Sequence, residues 1–273
     1  MMDEPVLLDV SPDGVAVVSL NRPNKRNAFD EQMVAALADA FETLKGADHV
    51  RVVFVRGAGE TFCAGADIEW MRRQGGYDRE ENEDDALITA RMFKALHDLP
   101  QLTVALVQGA AMGGGAGLVA ACDLGVALKT PKFRFSEVRL GLIPAMISPY
   151  VVEAIGPRWA KALFATAESF DGAFAEKIGL VQYVVEDGAE LEKMAEHLST
   201  LAFAAAPGAV SDAKSLVRMV VDSAARRRLD DGHLIDEHMI RETARRIAAR
   251  RASDEGREGL AAFLEKRKPN WEV

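Results

Sequence analysis

Leu102–Cys122 reads LTVALVQGAAMGGGAGLVAAC. The apolar run Thr103–Val107 predicts a strand, Gly113, Gly114, Gly115 and Gly117 form a glycine cluster, and Leu118, Val119 and Cys122 continue with helical spacing. A strand that meets a helix through glycines lets a ligand approach bare backbone, because no β-carbon stands in the way. It also leaves the first N–H groups of the helix unpaired and ready to meet negative charge. The cluster is not a nucleotide fingerprint: GxGxxG starting at Gly113 would need glycine where Leu118 stands, and no Gly-Lys-Ser/Thr follows.

Outward from this stretch, the composition bounds the protein class. A chain of 273 residues suits one large domain, or one domain with a helical appendage. Hydrophobic residues make up 49% and charged residues 27%, ordinary for a globular protein. A formal net charge of −9 argues against nucleic acid and against an anionic membrane as partners. An anionic small molecule would need local Lys, Arg or amide dipoles working against that field. Cys63 and Cys122 lack a CxxC partner and read as reduced thiols. MMDEPVLLDV carries no basic segment followed by a long apolar core, so no export signal is visible and a cytoplasmic location is expected. Leu102–Cys122 is long enough for a membrane span, but Gln108 and the dense glycines argue against one.

Val15–Leu20, Val50–Val55, Thr103–Val107, Leu124–Ala127 and Val181–Val185 read as strands. Asp30 is placed to cap a helix carrying Met33, Leu37, Phe41 and Leu44 on one face, with Gly46 to close it. Strands alternating with helices imply an α/β fold with a mainly parallel sheet. The acidic run Asp78–Asp85 reads as a solvated loop or helix start, with a mobile flap over a ligand as the sharper alternative. The strand signal stops near Pro207. Residues 1–206 are therefore expected to form the core domain and 207–273 a helical region, with helices over Ala213–Leu229, Gly232–Ala249 and Asp254–Lys266. The apolar positions Leu216, Val220, Leu234, Ile240, Ile247, Leu260 and Phe263 need a partner surface, in the first domain or in a neighbouring subunit.

A second small-residue segment follows another strand: RGAGETFCAGADIEWM, with Ala64-Gly65-Ala66-Asp67-Ile68 at its centre. Two such strand ends can each aim one N–H at a single oxygen, polarising a carbonyl and stabilising the oxyanion it becomes. Such a site needs an acid or base. Glu137, in KFRFSEVRLGLIP, sits among apolar residues that would raise its pKa toward neutrality; the plain alternative is a surface glutamate paired with Arg134 or Arg139. The clusters Arg226–Arg228, Arg245, Arg246, Arg250 and Arg251 read as partners of nearby acids such as Asp222, Asp230, Asp231 and Glu242, with phosphate contact as the alternative. His233 and His238 show no metal-ligand spacing, and the chemistry above needs no metal.

Taken in order, SLNRPNKRNAFD (Ser19–Asp30), FCAGADI (Phe62–Ile68), GAAMGGGAGLVAACD (Gly109–Asp123), FSEVRLGLIP (Phe135–Pro144) and Ala154–Val181 resemble the crotonase, or enoyl-CoA hydratase/isomerase, superfamily over nearly the whole chain. The resemblance implies a spiral of ββα units with a C-terminal helical region that builds a homotrimer or a hexamer. It implies an acyl-CoA thioester substrate, with coenzyme A as part of the substrate and no separate cofactor. Ala64 and Gly114 take the positions of the oxyanion-hole donors, and Glu137 that of a catalytic glutamate. Lys25, Arg26, Ala28, Ala66, Asp67 and Ile68 would line the nucleotide end. Phe263 and Lys266 resemble residues that reach a neighbouring subunit's CoA, a solvated helix end being the alternative for Lys266.

One departure matters. Gly117 stands where two-glutamate hydratases of this family carry their other glutamate. Three readings follow: a hydratase working through Glu137, an enoyl-CoA isomerase, or an acyl-CoA-binding oligomer without turnover. FSEVRLGLIPAMISPYVVEAIG favours the first, resembling a branch that acts on 3-methylglutaconyl-CoA and related branched thioesters. A carboxylated acyl group of that kind would seek Arg72, Arg73, Arg134 or Arg139.

Overall fold

Val15–Leu20 alternates buried and half-buried residues and forms strand β2, while Val52–Gly57 (β3) is almost entirely buried. That contrast separates a strand near the sheet edge from a central one. In a computed structural model that describes residues 4–227 and 236–272, six strands form one sheet. Its order is β1 (Val6–Val10), β2, β3, β4 (Leu102–Val107), β6 (Leu124–Leu128) and β8 (Tyr183–Val185). Only β1 and β2 pair antiparallel; every other neighbouring pair is parallel. The mixed α/β architecture with a parallel-dominated sheet is the one expected. β1 was not expected: its leucines and aspartate carry too weak a strand signal beside the Val-rich β2 that it pairs with.

Asp30 caps α1 (Glu31–Lys45) through the Met33 amide, and the helix ends at Gly46 as expected. Met33, Leu37, Phe41 and Leu44 face inward. The acidic run is neither loop nor flap. Asp78 and Glu81 form a capping box that starts α3 (Arg79–His97), and the carboxylates of its first turn meet the positive end of the helix dipole. Helix α4 (Gly114–Ala121) is buried along most of its length, which explains why its sequence has no polar face. Thr103 and Asp123 exchange hydrogen bonds across the turn from α4 into β6, fixing where the crossover re-enters the sheet.

A second layer consists of very short pairings. β5 (Ala110–Met112) pairs parallel with β7 (Lys132–Arg134), and single bridges extend the row: Phe29 with Ala66, Cys63 with Ala111, and Phe133 with Phe170. Its pieces are too short to show a period in the sequence. It rests on the 22–29 loop, where Arg26 (φ 52°) and Asn27 (φ 55°) are both left-handed. Asn27 is fully buried; its amide donates to the Ala58 and Thr61 carbonyls and its carbonyl accepts from the Arg22 amide. Arg22 in turn bonds the Ala28 carbonyl and reaches Asp30 and Asp67.

By internal packing the chain divides into Met1–Ser199 and Thr200–Val273. The second unit holds α8 (Pro207–Arg227), α9 (Glu237–Ala252) and α10 (Asp254–Glu265), so Pro207 marks a helix start. Arg228, Leu229, Asp230, Asp231, His233 and Leu234 lie outside the described residues, as do the side chains of Arg226 and Arg227. Of the described arginines in these clusters, Arg245 and Arg246 pair with Glu242, and Arg250 with Asp212 and Glu255. No described helix is long and apolar enough to cross a membrane.

Asn27→Ala removes three hydrogen bonds of a buried side chain at once. It should lower the unfolding free energy by about 2–4 kcal/mol, read as a drop in the urea midpoint at unchanged slope.

Candidate active site

The short second layer decides which amides are free. Phe29 donates its N–H to the Gly65 carbonyl (2.8 Å) and accepts at its own carbonyl from the Asp67 N–H (2.7 Å). In this parallel bridge the residue opposite Phe29, Ala66, takes no part with its own N–H, which faces the other way. Two residues earlier the situation differs: the Ala64 N–H donates to the Arg26 carbonyl at 3.0 Å. The expectation that Ala64 supplies an oxyanion donor is therefore corrected. Its amide is engaged within the fold, and the free donor on this segment is Ala66.

The glycine cluster shows the same division of labour. The Gly113 N–H, in a residue with φ 50°, donates to the Arg134 carbonyl at 2.9 Å and extends the β5–β7 pairing by one step. Gly114 is then the first residue of α4, and its N–H has no acceptor among the described residues. Ala66 and Gly114 line one cavity of about 220 Å³ together with Glu137. A side chain at Gly114 would strike the Phe29 ring, 2.6 Å from an ideal β-carbon, so bulk there would disturb the cavity wall rather than enter its open space.

Glu137 begins a 3-10 turn (Glu137–Leu140) after β7, and Gly141 (φ 73°) closes that turn. The carboxyl lies against the glycine cluster: a β-carbon on Gly113 would stand 3.3 Å from its Oε1. Its Oε2 is buried and has no partner among the described residues. Burial pushes the carboxyl above its ordinary value, against the lowering effect of its own amide and that of Ser136. The alternative of a surface glutamate paired with Arg134 or Arg139 does not hold.

The other expected residues fall in two places. Lys25, Arg26, Ala28, Ala66, Asp67 and Ile68 line a neighbouring groove of about 470 Å³, which shares Ala64 and Ala66 with the first cavity. Asp67 stands there as part of the frame. Burial opposes its ionisation, but the Glu69 amide and the Arg22 guanidinium outweigh this and hold the carboxyl below its ordinary value. Phe263 and Lys266 belong to the second unit, at the end of α10, where Phe263 is 80% exposed and Lys266 is left-handed (φ 55°).

None of the arginines considered for a substrate carboxylate lines the cavity. Arg73 is held by Glu31, Arg72 borders the neighbouring groove, Arg134 borders a separate depression, and Arg139 is exposed. Cys63 is buried, and its thiol is pushed up to about 12, which leaves it without nucleophilic character. Gly117 is explained by its neighbour. A β-carbon there would lie 2.2 Å from Ile147 Cγ2 and 3.2 Å from the Phe93 ring, so Ile147 fills the space that a longer side chain would need.

A family model described as enoyl-CoA hydratase/isomerase matches residues 11–273. The chain belongs to the enoyl-CoA hydratase/isomerase family. An enoyl-CoA hydratase from Shewanella pealeana is 36% identical and superposes with a TM-score of 0.91, covering 98% of this chain and 96% of that one. Pseudomonas aeruginosa AtuE is 34% identical with a TM-score of 0.89, over 99% and 100% of the two chains. An enoyl-CoA hydratase/isomerase from Marinobacter aquaeolei is 33% identical with a TM-score of 0.88, over 99% and 100%. The spiral expected from the sequence is thus a crotonase fold, and the protein is an enzyme of that family.

Gly117→Glu should cost about 1–3 kcal/mol by overpacking against Ile147. Adding Ile147→Ala should recover part of that, so the double variant is more stable than the sum of the singles by about 1 kcal/mol or more. Additive effects in a thermal denaturation cycle would contradict the packing described.

Proposed function

We propose that the protein adds water to, or removes it from, the double bond of a 2-enoyl-CoA thioester. The observation that carries this reading is the convergence of the free Ala66 and Gly114 amides and the buried Glu137 carboxyl on one cavity. The two N–H groups hold the thioester oxygen, and Gly114 adds the positive end of α4. Glu137 takes a proton from water, the water oxygen bonds to C3, and the electron pair of the double bond moves to the thioester oxygen as an enolate. Glu137 then returns the proton to C2. Elimination is the reverse. Holding a nascent oxyanion with fixed donors contributes a few kcal/mol per donor, because the dipoles need no reorganisation as charge develops.

The CoA portion lies in the groove beside Lys25, Arg26, Ala28, Asp67 and Ile68, where Lys25, Arg26 and Arg72 supply positive charge within an acidic protein. Phe263 and Lys266 meet the CoA of a neighbouring subunit in a homotrimer or hexamer. The exposed Leu260, Phe263 and Leu264 of α10 support an interface of that kind. A carboxylated acyl group does not suit the cavity, whose walls carry no Lys or Arg among the described residues, so the substrate class is an uncharged 2-enoyl group.

Ile147 favours a second reading. An apolar side chain where another carboxylate would stand suits an isomerase, in which Glu137 alone carries a proton from one carbon to another. Ultraviolet absorbance of the conjugated thioester separates these readings. A hydratase bleaches a 2-enoyl-CoA, an isomerase generates that absorbance from a 3-enoyl-CoA, and a binder without turnover does neither.

Glu137→Gln should reduce turnover 10²- to 10⁴-fold while leaving CoA affinity within about twofold. A variant retaining more than about a tenth of the activity places the proton transfer elsewhere. The same variant reports the raised pKa. The native carboxyl keeps its proton to higher pH than the unfolded one. The stability contributed by the protonated form is present below the ordinary value of 4.5 and is lost as pH rises through the raised native value. Glu137→Gln should therefore be more stable than the wild type at neutral pH, with the gap closing on acidification.

A further inference from the structure

Most polar side chains in the wall of the acyl cavity are committed elsewhere. Gln74 donates to the Asp85 carboxylate at 2.7 Å, Thr89 donates its hydroxyl to the Asp85 carbonyl, and the Trp70 indole nitrogen is buried. Ser136 differs. It is half-buried, lines the cavity beside Glu137, and its hydroxyl makes no hydrogen bond among the described residues. It holds the N-cap position of the Glu137–Leu140 turn, where a serine ordinarily turns its oxygen back onto the first amides, yet here the side chain caps nothing. Instead the hydroxyl lies against the glycine cluster. The point where a β-carbon on Gly113 would stand is 3.3 Å from Glu137 Oε1 and 3.9 Å from Ser136 Oγ. The two oxygens thus flank the same bare backbone, one residue before the Gly114 amide.

We infer that Ser136 holds the reacting water: its Oγ accepts a hydrogen bond from one O–H of that water while the other O–H points at Glu137. This rests on the hydratase reading and deepens it by assigning the place of the nucleophile. A single carboxylate engages only one of the water's hydrogens, and a water held at one point is free to turn its lone pair away from C3. Ile147 fills the space beside Gly117, so the second contact cannot come from a longer side chain there. A hydroxyl suits the task, because its hydrogen rotates and its oxygen carries two lone pairs. The step leaves Ser136 unchanged. One proton passes to Glu137, the water oxygen bonds to C3, the second hydrogen stays on the product hydroxyl, and Glu137 returns its proton to C2.

Ser136→Ala tests this. The hydroxyl bonds nothing in the fold, so the variant should unfold at the wild-type temperature and bind a saturated acyl-CoA within about twofold of the wild-type affinity. Hydration of the 2-enoyl-CoA that the wild type turns over fastest, followed by loss of the conjugated absorbance, should fall about ten- to a hundredfold in kcat, through loss of one placed hydrogen bond in the transition state. The pH profile of kcat should not move, because Glu137 keeps its surroundings. Exchange of the C2 protons of the saturated acyl-CoA for deuterium uses the two amides and Glu137 but no attacking water, so its rate should stay within about twofold. Hydration by Ser136→Ala at the wild-type rate overturns the inference and leaves the hydratase reading standing. A loss that falls equally on hydration and exchange, or that shifts the pH profile, also overturns it, since Ser136 then acts on Glu137 rather than on water. A wild type that hydrates no 2-enoyl-CoA overturns the hydratase reading and this inference with it.

Discussion

The site depends on one bridge of backbone, Phe29 between Gly65 and Asp67. Its two hydrogen bonds, 2.8 and 2.7 Å long, engage the residues on either side of Ala66 and leave the Ala66 N–H unpaired. Nothing in the Ala66 side chain produces this. It follows from where the 22–29 loop sits, and that loop is held by Asn27 and Arg22. The same loop presents the Arg26 carbonyl that engages the Ala64 N–H. A shift of one residue in this pairing would exchange the free and the bound amides. The buried Asn27, with its carboxamide bonded to Ala58, Thr61 and Arg22, is thus connected to the chemistry without touching the cavity.

Keeping donors free inside a protein is unfavourable, and so is burying a carboxyl. Among the described residues, Ala66 and Gly114 each leave an N–H without an acceptor, and Glu137 leaves Oε2 without a donor. The scaffold around them offsets these penalties through tight packing: Phe29 against the Gly114 backbone, Cys63 against Gly115, and Ile147 against Gly117. The glycines therefore have a second role beyond exposing backbone. They let the first turn of α4 settle among large side chains, so the helix dipole ends at the cavity. The cavity is mostly apolar, which raises the Glu137 pKa and strengthens any interaction between the amides and developing charge.

Much of this was legible in the sequence, for reasons that can be named. The central strands announce themselves by dense Val, α1 by Asp30, Gly46 and its apolar face, and the two glycine-bearing strand ends by their residues alone. Glu137 was legible as a carboxyl among apolar neighbours. The choice between Ala64 and Ala66 was not. Both are alanines flanking Gly65, and what separates them is a contact with a loop some forty residues earlier in the chain. β5 and β7 were illegible because three residues do not make a period. The acidic run at Asp78 was ambiguous because a capping box and a solvated loop use the same residues; only the hydrogen bonds of Asp78 and Glu81 distinguish them.

The central claim is that two main-chain amides, Ala66 and Gly114, polarise a thioester carbonyl. Infrared difference spectroscopy of a 2-enoyl-CoA labelled with ¹³C at the thioester carbonyl, bound to Glu137→Gln so that it persists, reads that polarisation directly. The carbonyl stretch should move to lower frequency on binding than in water, because fixed donors in an apolar cavity pull on the oxygen more strongly than solvent does. A bound carbonyl that absorbs at or above its frequency in water would mean that these amides do not hold it.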